Sequence, residues 1–211
     1  MNNVIPFNSI NLENRKLIKD FKIVLKDLEP LVKDPRFLWN GRDLSNFSLR
    51  PREIWANWLI CVVLRKLHGD NITFMDDCKG DGFLVDREMG VMIPTEHVCA
   101  LDISVADDLP KGEDRIINAI KFKISKSKYD GKILVVFFDG AGKFYRSKIR
   151  KAVYGKHHFE AIFCVGLLES SNDKYSYSVT EFRESFKDKS ITHRVDINGN
   201  FDDWKITQIL K

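Results

Sequence analysis

The sequence predicts an α/β fold in which a mixed central sheet is flanked by helices. Three observations predict it. Two near-continuous apolar runs, Ile133-Leu-Val-Val-Phe-Phe138 and residues 160–167, have the character of strands buried on both faces. Charged segments with apolar residues at helical spacing precede each run, so helix and strand alternate. Upstream, three strand-like runs follow one another closely enough to form a meander.

Taken in order, residues 11–33 read as an amphipathic helix, with Leu17, Phe21, Val24, Leu28 and Leu31 recurring among lysines and acids. Pro30 is expected to kink or end it. Residues 34–50 read as loop, because they carry Pro35, Gly41 and several Asn and Ser. A second helix starts near Pro51, with Glu53 in its first turn, and stops at His68-Gly69. It is apolar on most sides, which predicts a central helix. Strands are expected at 71–76, 82–86 and 91–101. A charged helix follows over 111–128, with Ile116, Ile117, Ile120 and Ile124 on one face. The strand at 133–138, a basic helix at 144–154 and the strand at 160–167 complete the alternation. After them come strand-like stretches at 175–180 and 193–197, then a short helix near Trp204. These elements divide the chain into a helical N-terminal extension (1–50), an α/β core (51–167) and a C-terminal strand and helix extension packing on the core (168–211).

The chain has 211 residues, 44% of them hydrophobic, enough for one domain with an ordinary core. Its net charge of +4 is a mild basic bias that says little alone. No apolar run approaches the roughly 20 residues of a membrane span, and no secretory leader is expected at Met1-Asn-Asn-Val-Ile-Pro-Phe7. Cys61, Cys78, Cys99 and Cys164 are isolated, which argues against a zinc site and suits a reducing compartment; a cytoplasmic location is expected.

The chemistry points to one hairpin. If Arg87-Glu88-Met89-Gly90 is a four-residue turn, Asp86 sits opposite Val91, and Asp81 falls opposite Glu96. Directly opposed residues hold their Cβ atoms about 4.5–5.5 Å apart on one face. Two carboxylates that close repel unless something neutralises them. A hard divalent cation does so, since Mg²⁺ takes a few carboxylate oxygens plus waters. Other readings stay open: Asp81-Gly82 suits a turn, and Glu53 suits a helix first turn whatever its function. Glu96 is harder to dismiss, because a carboxylate within an apolar strand needs a partner.

Helix, three-strand meander, helix, strand, with Asp81 before the second strand and Glu96 in the third, resembles the PD-(D/E)XK, or restriction-endonuclease-like, nuclease superfamily over about residues 50–167. The resemblance implies an αβββαβ core and a nuclease that hydrolyses phosphodiester bonds, with DNA the expected substrate. It implies that Asp81 and Glu96 bind Mg²⁺ or Mn²⁺, that Glu53 assists, and that a lysine two residues after Glu96 orients the water. That position is Val98. The same register offers Lys79 as the substitute, opposite Val98; Lys121 and Lys123 on the following helix are further candidates.

Basic residues follow the hairpin. Lys143, Arg146, Lys148, Arg150, Lys151 and Lys156 lie between Gly140 and Phe159, where there is no acid. Lys121, Lys123, Lys126, Lys128 and Lys132 form a second cluster. Cations beside an acidic metal site fit a polyanion, so Lys121, Lys123, Lys143, Arg146, Lys148, Arg150 and Lys151 are candidate phosphate contacts. A solvated helix face would look the same. Two other functions remain: a nucleic-acid-binding module without catalysis, and a protein-interaction module. For the second, the apolar Val4, Ile5, Phe7, Phe37 and Trp39 would dock a partner in a homodimer or larger complex.

Overall fold

Three strands reached through short turns, then a helix, then a parallel strand, place the chemistry-bearing hairpin at the middle of one broad sheet. The computed structural model describes residues 5–7, 15–34, 36–40, 47–76, 80–101, 112–126, 128–139, 145–171, 174–183 and 190–210. The elements in chain order are β1 (Ile5–Pro6), β2 (Lys16–Leu17), α1 (Phe21–Lys33), α2 (Arg36–Asn40), α3 (Pro51–His68), β3 (Ile72–Asp76), β4 (Phe83–Asp86), β5 (Val91–Leu101), α4 (Glu113–Ile124), β6 (Ile133–Asp139), α5 (Arg146–Val153), β7 (Ala161–Ser171), β8 (Lys174–Phe182), β9 (Ile191–Asn198) and β10 (Trp204–Leu210).

The protein is mixed α/β, with one open ten-stranded sheet ordered β10-β9-β8-β7-β6-β5-β4-β3-β2 and β1 added beside β5. The pairs β5–β6 and β6–β7 are parallel, and the remaining pairs are antiparallel. The α4 and α5 crossovers account for the two parallel pairs.

Strand alternation splits the core in two. Val135, Phe137, Phe163 and Val165 point to one face and pack with α1 and α3. Leu134, Val136, Phe138 and Ile162 point to the other and pack with Ile116, Ile117 and Ile120 of α4 and Ile149 and Val153 of α5. The expected all-round burial of α3 is found: Pro51 and every residue from Glu53 to Leu64 are buried. Trp55 and Trp58 stack with ring centroids 5.2 Å apart, and Trp204 meets Trp58 edge-on at 5.1 Å.

Four sequence expectations need correction. The first helix begins at Phe21, not residue 11, because Asp20 caps it by accepting from the N–H groups of Lys22 (2.8 Å) and Ile23 (3.1 Å). Lys16 and Leu17 instead pair with Asp76 and Met75. Pro30 does not end the helix, which runs on to Lys33 and closes with the Asp34 N–H donating to the Pro30 carbonyl. Within the expected loop 34–50, Arg36–Asn40 is a short helix. The expected terminal helix is strand β10: Trp204 and Ile206 alternate in burial with Lys205 and Thr207, a period of two, and pair with Ile197 and Val195. The segment assigned to the N-terminal extension thus also donates strands, and 168–211 continues the same sheet.

Gly166 on β7 shows how closely the second layer is packed. A Cβ there would lie 2.3 Å from the ring of the buried Phe138. Gly166→Ala is expected to cost about 1–3 kcal/mol, the usual price of overpacking, read as a lower urea midpoint at unchanged slope.

Candidate functional site

Strand β5 changes neighbours halfway along. Val91–Pro94 pair with β4, and Thr95–Leu101 pair with β6. The β4–β5 ladder runs Asp86↔Val91 to Phe83↔Pro94, the register expected from the four-residue turn. It does not continue in ladder form to Asp81. Gly82 adopts φ +87°, where a Cβ would press on the Met75 carbonyl at 2.8 Å, and this turns the chain off the sheet. The Asp81 carboxylate therefore does not stand as a cross-strand neighbour of Glu96. Its Oδ2 accepts from the His97 backbone N–H at 2.6 Å, a donor on the edge of β5 that β4 has left. Thr95 Oγ1 donates to the Asp81 carbonyl at 2.5 Å and fixes the same loop.

The divergence opens a polar cleft of about 410 Å³, walled by Arg50, Arg52, Glu53, Asp81, Glu96 and Lys123. Its three predicted acids thus arrive from three elements: the first turn of α3, the lead-in to β4, and β5. Glu53 is held by the Arg50 backbone N–H, which donates to Oε2 at 2.9 Å. Burial pushes its carboxyl above the ordinary value; the Arg50 bond opposes this, and the charge of Asp81 adds to the rise.

Glu96 is buried and clamped between two lysines. Lys123 of α4 donates to Oε1 at 2.5 Å, and Lys132, just before β6, donates to Oε2 at 3.2 Å. Lys123 leaves only 11% of its side chain exposed. The ammonium groups of Lys123, Lys128 and Lys132 lie 4.7, 4.9 and 5.3 Å from the centre of the Tyr129 ring, so one aromatic face organises three cations beside the acid.

His97 points to the face opposite Glu96, as strand alternation requires, and its Nε2–H donates to Asn57 Oδ1 at 3.2 Å. The fully buried Asn57 in turn donates from Nδ2 to the Asp81 carbonyl at 3.4 Å, which links α3 to the loop. Burial, with the nearby Arg52 charge, holds the His97 imidazole down to about 3. The unfolded chain protonates this ring near pH 6.5 and the folded one resists. The stabilisation is thus complete above pH 6.5 and lost as pH falls from there toward 3. In EDTA, thermal unfolding should show a stability loss on the order of a few kcal/mol over that window, and His97→Gln should flatten it.

Of the predicted site residues, Glu53, Asp81 and Glu96 meet in the cleft, and Lys123 joins them there. Lys79 and Lys143 lie outside the described residues. The basic rim is smaller than the sequence suggests. Lys123 is engaged with Glu96 and lines the cleft. Lys148 pairs with Glu113 of α4, and Arg146 donates to the Ser190 carbonyl (2.8 Å) and Thr192 Oγ1 (3.0 Å). Lys121 and Lys151 are exposed, and Arg150 is half-buried. Of the proposed docking residues, Ile5 and Phe7 pack inward against Met75, Phe83, Val85 and Met92, while Phe37 is exposed. Sequence reasoning missed Arg50, Arg52, Asn57 and Lys132 as parts of this region; the one local signal was two arginines flanking Pro51 just before Glu53.

Among the described residues, no group of three or more His, Cys, Asp or Glu is arranged to hold a metal ion. A hard cation of the Mg²⁺ type is held by as few as one or two carboxylates, with waters and substrate phosphate oxygens completing its shell. Asp81, Glu96 and Glu53 are the carboxylates lining the cleft that would have to supply those oxygens.

No protein-family model matches the chain, and no curated protein or solved structure gives a significant match. Fold and cleft together define a mixed α/β protein whose open sheet splits at β5 around buried acids and cations. No helix among the described residues is long and apolar enough to cross a membrane.

Proposed function

We propose that the protein is a divalent-metal-dependent nuclease of the restriction-endonuclease-like kind, hydrolysing phosphodiester bonds of nucleic acid, with DNA the first substrate to test. The observation that carries this reading is the convergence of Glu53, Asp81, Glu96 and Lys123 on one cleft. The order α3-β3-β4-β5-α4-β6, with β5 and β6 parallel, supports an αβββαβ core. Asp81 and Glu96 would hold Mg²⁺ or Mn²⁺. Such an ion polarises a phosphoryl oxygen and lowers the pKa of bound water. Lys123 takes the part that Val98 cannot: its ammonium, fixed on Glu96, stands where it can orient water or meet developing negative charge. Glu53, whose carboxyl burial pushes above its ordinary value, is suited to take up a proton.

The test is incubation of the purified protein with plasmid, single-stranded DNA and RNA over a range of Mg²⁺ and Mn²⁺. Cleavage that needs the metal and disappears in Asp81→Ala is the expected result. No cleavage of any substrate, or cleavage by Asp81→Ala at the wild-type rate, overturns it.

One observation favours a second reading, a binding module without catalysis: both oxygens of Glu96 are already neutralised by lysines. That reading requires nucleic-acid binding which weakens with salt and survives EDTA. Loss of binding in EDTA counts against it.

A further inference from the structure

Three cations, Arg50, Arg52 and Lys123, face the three acids of the cleft, and Lys123 is already held on Glu96. Lys123 and Lys132 neutralise Glu96, and the Asp81 carboxylate is satisfied in part by the His97 N–H. Glu53 accepts from a backbone N–H. Arg50 and Arg52, on either side of Pro51, line the same cavity, and their charges oppose the rise in the Glu53 pKa without a side-chain hydrogen bond to it. Arg52 Nε is buried and has no hydrogen-bond partner among the described residues. A buried donor without an acceptor calls for a ligand or water to complete it. Guanidinium groups in a fork match the paired oxygens of a phosphate, and they remain charged at every working pH.

We propose that Arg50 and Arg52 form an oxyanion-binding subsite that grips a phosphate of the substrate strand adjoining the one held at Asp81 and Glu96. The proposal rests on the phosphodiester reading above for the identity of the strand. Ser48 lines the same cavity. The subsite is spatially distinct from the lysines around Tyr129, which belong to the α4 side of the cleft. It therefore fixes the direction in which a strand crosses the acids: one phosphate toward α3, the next toward α4.

The phosphate is either an internal diester or a terminal monoester, and the experiment separates these. Binding of 12-nucleotide single strands with a 5′-phosphate, a 3′-phosphate or neither is measured by fluorescence anisotropy in EDTA for the full chain. Arg50→Gln, Arg52→Gln, Arg52→Lys and the exposed-helix control Lys151→Gln are compared, each checked for an unchanged circular dichroism spectrum. Either Gln variant is expected to weaken binding about tenfold and to lower the slope of log K against log salt by about 0.7, the loss of one phosphate contact. Arg52→Lys should recover the slope but not the full affinity, since charge returns without the fork. A preference for one phosphorylated end that vanishes in the Gln variants assigns a terminal phosphate; equal binding of all three strands with the same Arg dependence assigns an internal one. Wild-type affinity and slope in both Gln variants overturns the subsite, and the nuclease reading would still stand if Asp81→Ala abolishes cleavage. Arg-dependent binding in a protein that cuts nothing keeps the subsite and removes the nuclease.

Discussion

Glu96→Gln is expected to lower metal-dependent cleavage by roughly 10²–10³-fold, the range found when a group aimed at developing charge is removed. The amide keeps the shape but cannot neutralise Lys123 and Lys132, which donate to its two oxygens at 2.5 and 3.2 Å. A cation left without its partner in a buried setting costs about 1–3 kcal/mol, so the variant should also unfold several degrees lower. Rates are therefore to be compared at a temperature where both proteins are folded. The informative comparison is with Lys123→Met. If acid and lysine act as a unit, the double substitution will be little worse than either single one, as in other catalytic units. Additive losses would show that Lys123 only steadies the fold.

Gly82→Ala is expected to lose both stability and activity. The residue sits at φ +87°, and a Cβ would meet the Met75 carbonyl at 2.8 Å and Leu49 Cδ1 at 3.3 Å. The left-handed backbone costs about 1–2 kcal/mol for an L residue, and the contact adds overpacking of about 1–3 kcal/mol. For a chain of this size, that is a fall in Tm of roughly 4–20 °C. Relief by straightening the backbone would swing Asp81 out of reach of the His97 N–H, so cleavage should fall further than unfolding explains. A variant with a wild-type Tm would show that Gly82 is not the hinge of the site.

Much of the β-meander was legible because its turn chemistry is local. Arg87–Gly90 sets the register, and Phe83↔Pro94 follows by counting. The burial of α3 was legible because its apolar residues leave no polar side. What was not legible depends on distance. Lys123 reaches Glu96 across 27 positions, and nothing in α4's own pattern separates that lysine from Lys121, which points to solvent. Lys148 looked free because its acid, Glu113, lies on another helix. The counting also failed one step beyond the ladder. It treats every residue as extended, whereas the positive φ of Gly82 is a choice that only the surrounding backbone makes. Trp204 was misassigned because seven residues suit a short helix or a strand equally, and the deciding contact is with Trp58.

That contact ties the sheet's edge to the order in which the chain is made. Helix α3 carries Glu53 in its first turn and Trp58 in its middle, and one of Trp58's aromatic neighbours, Trp204, arrives only with β10. The apolar helix must wait for strands that leave the ribosome much later, and long-range pairing of this kind folds slowly. Until β8, β9 and β10 have added to the sheet, α3 stays partly uncovered. The tryptophan emission of a refolding protein would report the seating of β10 against α3.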